Sequence, residues 1–380
     1  MVLQRLAYKE HPDTPRSWEL VDFDLQEINL VVAKNAAGKS RTLNVIEGLG
    51  NLLLSPNTIF GNAHYKATFK NSQQKVYTLN IGISEGRILN ENLLIDNEPQ
   101  IERIESNQGR MFNQDAGKFL SFELPENQLA CTRRDRIQYP YLEDIHKWAD
   151  TVRRFHFNTP LGKGNLHLPN TPTNVRPINI KETERVLDAF ASSNEKFDTL
   201  FKTKVIDDFN RIGYKIEDVL IGPLQSISLH PQIISNPIGL LVKEVDREVE
   251  TDQHEMSMGM FRALSILIFF NTYDLEGIEG CILIDDIGEG LDYEKSTNLI
   301  NLLIEKSKSS SVQLIMSTND KFVMNNTDLT YWQILKRKGS RVKLFNCRNA
   351  KEQFEEFKFT GLNNFDFFRS DLFENNLSFE

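Results

Sequence analysis

Cysteine is scarce in this chain of 380 residues. Its three cysteines, Cys131, Cys281 and Cys347, lie far apart, form no CxxC pair and have no histidine-rich neighbour. That excludes a disulfide framework and a clustered zinc site, and it fits a reducing compartment. Long apolar runs are lacking too. The best candidate, Leu264 to Phe270, falls well short of the roughly 18–20 residues that cross a bilayer and reads as core. The opening segment from Met1 to Trp18 has no apolar stretch of the kind a secretion signal requires. The expectation is a soluble, cytoplasmic protein without membrane contact. Positive charge is in deficit, with 44 Lys and Arg against 53 Asp and Glu. Bulk charge therefore argues against coating nucleic acid, although a local basic face would not show in that balance. No heptad is sustained anywhere and no internal repeat occurs, which excludes a long coiled-coil arm.

What is present is a chain that is 40% hydrophobic, enough for a large core. Trp18 to Val32 reads as two strands, the second (Ile28 to Val32) a continuous apolar run of the type buried in parallel sheets. A turn follows, then a helix from near Lys39 with Leu43, Ile46 and Leu49 on one face. From His64 to Ile104 apolar and polar residues alternate, with turn signals at Asn71-Ser72 and Glu85-Gly86, as in an antiparallel meander. Residues 105–180 read as less regular. Ile178 to Tyr214 reads as two helices, and from Phe261 to Leu344 helix and apolar strand alternate, which implies parallel βαβ units. The predicted class is one α/β domain with a mixed central sheet, a β meander and a short helical insertion. Its expected lobes are residues 1–125, 126–255 and 256–345, with a Phe- and Asn-rich tail from 346 to 380.

The segment Ala33-Lys34-Asn35-Ala36-Ala37-Gly38-Lys39-Ser40 joins the apolar strand to the helix. It differs from G-x-x-x-x-G-K-[ST] only in its first residue. Backbone N–H groups of Asn35, Ala36, Ala37 and Gly38, with the helix start at Ser40 and Arg41, can cradle phosphate oxygens. Lys39 can reach the outer phosphates, and the Ser40 hydroxyl can hold magnesium. The bland alternative is an accidental GKS in a turn; strand before and helix after argue against it. A second apolar strand, Cys281 to Ile284, ends in Asp285-Asp286. The first carboxylate is suited to magnesium, and the second to orienting or deprotonating a water. Two acids at a strand end can also be no more than a solvated end.

Downstream come Ile287-Gly288-Glu289-Gly290-Leu291-Asp292, a helix, and a strand ending in Ser317-Thr318-Asn319. In this arrangement the chain resembles the ABC ATPase superfamily, and within it the heads of the SMC and RecF group. The resemblance implies ATP and Mg2+ as ligands, with Asp285 as magnesium ligand, Asp286 as catalytic acid, Asp292 as the D-loop acid and Asn319 in the place of the switch histidine. It also carries Ser257 and Gly259, in Glu255-Met256-Ser257-Met258-Gly259-Met260, onto the signature that contacts the ATP of an opposite subunit. Read locally, Ser257 is equally an ordinary helix N-cap. Two departures point to slow turnover: Asp286 is one methylene shorter than the family's Glu, and Asn319 cannot carry a positive charge.

Arg133-Arg134-Asp135, Gln138-Tyr139-Pro140 and the terminal Phe359 to Phe368 are similar to the arm-less AAA-domain, SMC-like ATPases, such as PtuA of the Septu system, the AbiL ATPase and the ATPase part of OLD nucleases. That implies a homodimer closed around ATP, acting on a separate effector protein in anti-phage defence. Two alternatives stay open: a RecF-like ATPase of repair or replication that binds DNA, and a scaffold merely stabilised by nucleotide. Arg133, Arg134, Arg136, Arg153 and Arg154 are the candidates for a nucleic-acid surface, although exposed arginines are usually just solvated. Trp148, Phe155 and Phe157 read as core, and the Phe-rich tail as either a docking surface or a packed terminus.

Overall fold

The computed structural model describes residues 1–55, 61–167, 182–227 and 237–374. The start of the expected helical stretch at Ile178 and the last residues of the tail lie outside them. The chain forms two compact units. One comprises Met1–Val152, Gln313–Asn319 and Asp328–Glu380; the other comprises Arg153–Val312 and Asp320–Thr327.

The first unit opens with β1 (Val2–Glu10), β2 (Trp18–Asp24) and β3 (Ile28–Ala33), which lead into α1 (Lys39–Leu54). The meander follows as β4 (Ala63–Lys70), β5 (Val76–Ser84), β6 (Arg87–Ile95), β7 (Glu98–Arg103), β8 (Gln108–Asn113) and β9 (Lys118–Glu123), and then α2 (Leu142–Thr151). β10 (Val152–His156) leads into the second unit. There the chain forms α3 (Val186–Arg211), β11 (Ile216–Pro223), β12 (Ile238–Glu244), β13 (Thr251–Asp252), α4 (Met258–Glu276), β14 (Cys281–Asp285) and α5 (Tyr293–Ser309). β15 (Gln313–Thr318) returns to the first unit, and α6 (Lys321–Asn326) belongs to the second. β16 (Trp332–Lys338), β17 (Arg341–Phe345), α7 (Lys351–Phe357) and α8 (Asn364–Arg369) complete the first.

In the first unit the strands run in the order β15, β3, β16, β17, β2, β1, and then β4 to β9 in sequence. β15, β3 and β16 are mutually parallel, β17 is parallel to β2, and the rest pair antiparallel. This is the mixed sheet with a meander that the patterning implies. Every residue of β3 and β15 is buried, as expected of strands covered on both faces. The meander alternates instead, and two of its hairpins turn on paired left-handed residues, Glu85-Gly86 (φ 51° and 76°) and Asp96-Asn97 (φ 52° and 69°). Positive φ at both central positions matches the twist of a tight hairpin. Between residues 105 and 123, read as irregular from sequence, β8 and β9 extend the meander; their short, mixed-polarity segments give little period-2 signal. β1, at the very start of the chain, also went unread.

In the second unit β10 neighbours β14, β11 to β13 form a separate antiparallel sheet, and α4 is buried along nearly its whole length. The run Leu264 to Phe270 sits there as core, at 1% exposure or less. The reading of two helices near residues 178–214 is matched by α3, which breaks at Asp198 (φ 46°, ψ −130°) into two helical pieces. Asp208 accepts hydrogen bonds from Asn271 (2.8 Å) and Lys306 (2.7 Å), which ties α3, α4 and α5 together. Among the described residues, no helix is long and apolar enough to cross a membrane.

One charged pair in the first unit is wholly buried. Glu91 on β6 and Arg103 on β7 meet at 2.9 Å, with neither side chain exposed. Glu91 also accepts the backbone N–H groups of Ala130 (2.8 Å) and Cys131 (2.7 Å), and Arg103 donates to the carbonyls of Ser106 and Gln128 (2.6 Å each). The pair thereby fastens the connection beyond β9 to the meander. Truncating one partner strands the other charge in the interior. Glu91→Ala is expected to destabilise the fold by about 3–5 kcal/mol. A urea or thermal melt would check this, and a midpoint unchanged from wild type would show that the network contributes nothing.

Candidate functional site

The phosphate-loop candidates lie in the first unit. β3 ends at Ala33, Lys34 to Ala36 are exposed, and α1 begins at Lys39. The loop is shaped by left-handed backbone at Ala36 (φ 62°) and Gly38 (φ 111°). At Gly38 a side chain would be strained, and its Cβ would meet the Trp18 ring at 3.3 Å. As N-cap, Gly38 offers α1 no side-chain acceptor, and the first turn holds no acid. The helix thus starts with donors that its own side chains do not cap, the arrangement that suits a phosphate.

Lys39 is 7% exposed, and its Nζ donates to Asn319 Oδ1 at 2.5 Å. Two residues predicted from separate motifs, 280 positions apart, therefore meet. Asn319 follows the buried β15, so the parallel neighbour of β3 supplies the lysine's partner. Ser40 is half-buried in the first turn of α1. Arg41 lies over the Trp18 ring, 4.6 Å from its centroid, and pairs with Glu10; burial pulls its guanidinium pKa down. The outer shoulder of the loop borders a cavity of about 350 Å³ that also presents Lys336 and Arg337 and is walled by Phe368 and Phe373. Arg337 donates to the Ala36 carbonyl (3.3 Å), and Lys34 pairs with Asp371 (3.0 Å). Lys336 and Arg337 had no sequence motif to mark them.

The second unit holds the acids and the signature candidates. Asp285 ends β14 at 1% exposure, and its Oδ2 accepts from Arg154 Nη2 on the neighbouring β10 at 2.7 Å. Arg153 and Arg154, read as candidates for a nucleic-acid face, are instead 5% and 4% exposed. The strand Val152-Arg153-Arg154-Phe155-His156 looks like surface charge in sequence, but pairing beside β14 buries it. Asp286 is half-buried with left-handed backbone (φ 57°), a conformation asparagine and aspartate tolerate best and one found often at functional turns.

Ser257 is exposed, and it is the N-cap of α4, accepting from the Met260 N–H at 3.1 Å. Asp292 caps α5, accepting from the Lys295 N–H (2.9 Å) and pairing with its ammonium (2.5 Å), which lowers the carboxyl pKa. Gly259 packs on the loop before α5 so closely that a Cβ there would lie 2.1 Å from the Gly290 carbonyl oxygen. Arg262, one turn along α4, donates to the carbonyls of Glu289 (3.0 Å) and Thr159 (3.1 Å) and fixes that contact. Sequence reading missed Arg262, whose role is only visible in these long-range contacts.

Magnesium suits the donor types present. Ser40 offers a hydroxyl and Asp285 a carboxylate, both hard oxygen ligands, and Arg154 shows that the Asp285 position already favours positive charge. Among the described residues, no three His, Cys, Asp or Glu side chains cluster into a self-contained cage. Magnesium held by one or two carboxylates and by phosphates needs none.

Of the remaining arginines, Arg134 is exposed. Arg133 lies over Phe122 and Tyr139, and Arg136 pairs with Glu143. Trp148, Phe155 and Phe157 are core residues, at 1% exposure or less. Of the tail, Phe354, Phe357, Phe367, Phe368 and Phe373 are buried, while Phe359 is 89% exposed.

No protein-family model matches the sequence, and no curated protein matches it. Solved structures do. One is the SMC head bound to the C-winged helix domain of ScpA, at 14% identity and TM-score 0.54, over 93% of this chain and all of that one (100%). Another is an SMC head domain with an extended coiled coil, bound to the C-terminal domain of ScpA derived from Pyrococcus furiosus, at 13% identity and TM-score 0.51, over 94% and 99%. At such identity the likeness is one of fold: the chain has the α/β fold of the SMC-type, ABC ATPase heads.

Proposed function

We propose that the protein is an ATP-binding, slowly hydrolysing ABC-type ATPase that closes as a homodimer around ATP and Mg2+ and controls a separate effector protein in a bacterial anti-phage system. The observation that carries the ATP part is the buried Lys39 ammonium, held by Asn319 beside a loop of left-handed residues and an uncapped helix start. In this reading Asn35 to Arg41 take the phosphates, and Ser40 and Asp285 hold Mg2+. The metal, when bound, neutralises charge on the β- and γ-phosphates. Asp286 orients or deprotonates the attacking water. Its short side chain, and an amide at Asn319 where a cationic histidine would help, argue for slow turnover. The effector and anti-phage parts rest on the resemblance to the arm-less group through Arg133 to Pro140 and Phe359 to Phe368. Of the arginines that suggested a DNA-binding role, Arg153 and Arg154 are buried, Arg133 and Arg136 are engaged, and Arg134 is exposed.

Removing the lysine tests the ATP reading directly. Lys39→Ala is expected to weaken ATP binding about 100-fold, the loss of one charge-assisted contact to phosphate. Affinity within about twofold of wild type would remove the phosphate-loop assignment.

Dimer closure has its own test. If Ser257 and Gly259 contact the ATP of a second subunit, nucleotide is part of the interface and shifts association by mass action. Ser257→Arg places a bulky cation at that exposed position and should abolish ATP–Mg2+-dependent association in light scattering while leaving ATP binding to the single chain intact. Association that persists in the variant would return Ser257 to the role of a helix cap alone.

A further inference from the structure

The carboxylate assigned to magnesium is already engaged. Asp285 and Arg154 form an ion pair at 2.7 Å with side chains only 1% and 2% exposed. The pair is built in from both sides. Arg154 sits in the middle of β10, its backbone carbonyl accepting from the Thr183 hydroxyl (2.8 Å), and the Asp285 carbonyl accepts the Phe157 N–H (3.0 Å). Burial this deep makes the pairing matter to both charges, because water is largely excluded from them. A divalent cation and a guanidinium compete for the same oxygens, and like charges so near one another repel strongly where water is scarce.

We propose that Arg154 is a placeholder cation: its guanidinium holds the Asp285 carboxylate in position, and Mg2+ must displace it to bind. The inference rests on the reading of Asp285 as magnesium ligand and adds a residue that sets how much magnesium the protein requires. Arg154 is a positioning residue, acting through Asp285. The placeholder supplies a buried carboxylate with a cationic partner, and it makes Mg2+ entry depend on a second event that compensates for losing the pair. Phosphate oxygens arriving with the metal are that compensation, since they neutralise part of its charge and so lessen its repulsion of the guanidinium. Metal alone should therefore bind poorly to the wild type, and metal with nucleotide well.

Two neutral variants of the full chain test this. Arg154→Gln keeps a hydrogen-bond donor for Asp285, and Arg154→Met keeps the volume and removes the donor. The first readout is the melting temperature with Mg2+ alone, which needs no nucleotide. Mg2+ at a fixed millimolar concentration should raise it by several degrees in either variant and scarcely in the wild type. The second readout is the Mg2+ concentration for half-maximal ATP binding, expected to fall about tenfold in the variants, a difference of about 1.4 kcal/mol. Should Arg154→Met fail to fold, Arg154→Gln decides. A wild-type shift equal to that of the variants, or an Mg2+ requirement unchanged or raised by the substitution, would overturn the placeholder. Failure of the ATP reading looks different: ATP binding is then absent in every form, while the melting temperatures with Mg2+ alone still report on Arg154.

Discussion

The chemistry of this molecule depends on a single constraint: charged groups sit at the ends of strands that have no solvent face. β3, β14 and β15 are buried at every residue, so the polar side chains within them, such as Asn29 and Gln313, are hydrogen-bonded in the interior, and the charged groups come at or beyond the strand ends. Asp285 ends β14 and Lys39 begins α1 after the loop that follows β3, at 1% and 7% exposure, and charges so deep must be matched. In the first unit the match is Asn319, at the end of β15. In the second it is Arg154, on β10. Arg154 is held within a strand, and Asn319 directly follows one, so both partners are placed by the strands of the sheets.

Helix starts divide along the same line. α4 and α5 begin with Ser257 and Asp292, side chains that accept from their own first turns. α1 begins with Gly38, which has nothing to offer, after a loop whose backbone is left-handed at Ala36 and Gly38. A side-chain cap satisfies a donor internally, whereas α1 has no side chain in that role at Gly38. The tight contact of Gly259 with Gly290, braced by Arg262, gives the second unit a different use of glycine. There the missing side chain lets the start of α4 lie directly on the loop that leads to α5.

Legibility in the sequence followed the locality of the physics. The strand, loop and helix around Lys39 could be read because buried-strand composition, turn residues and helical periodicity occupy one short stretch. The Asp285-Asp286 strand end was readable for the same reason. Arg154 was not. Its neighbours suggest an exposed basic strand, and its partner lies 131 positions away, so only tertiary pairing reveals that it is buried. The Glu91–Arg103 pair and the Arg262 contacts were invisible for the same reason, each defined by carbonyls or acids on other segments. β8 and β9 were lost differently, because six-residue strands with scattered polarity carry too little alternation to be told from loop.

The local and the functional readings of Ser257 are not exclusive. A serine hydroxyl can donate once and accept twice. Capping α4 uses one lone pair, for the Met260 N–H. Asp292 is similar, since an ionised carboxylate accepts at several sites and the Lys295 N–H and ammonium take only some of them. Both residues are exposed, and the Tyr214 side chain lies beside them, sharing a hydrogen bond with Ser257. The cap contributes something a partner site needs as well: it fixes the side-chain rotamer, so that a contact from another molecule would not have to pay for ordering it.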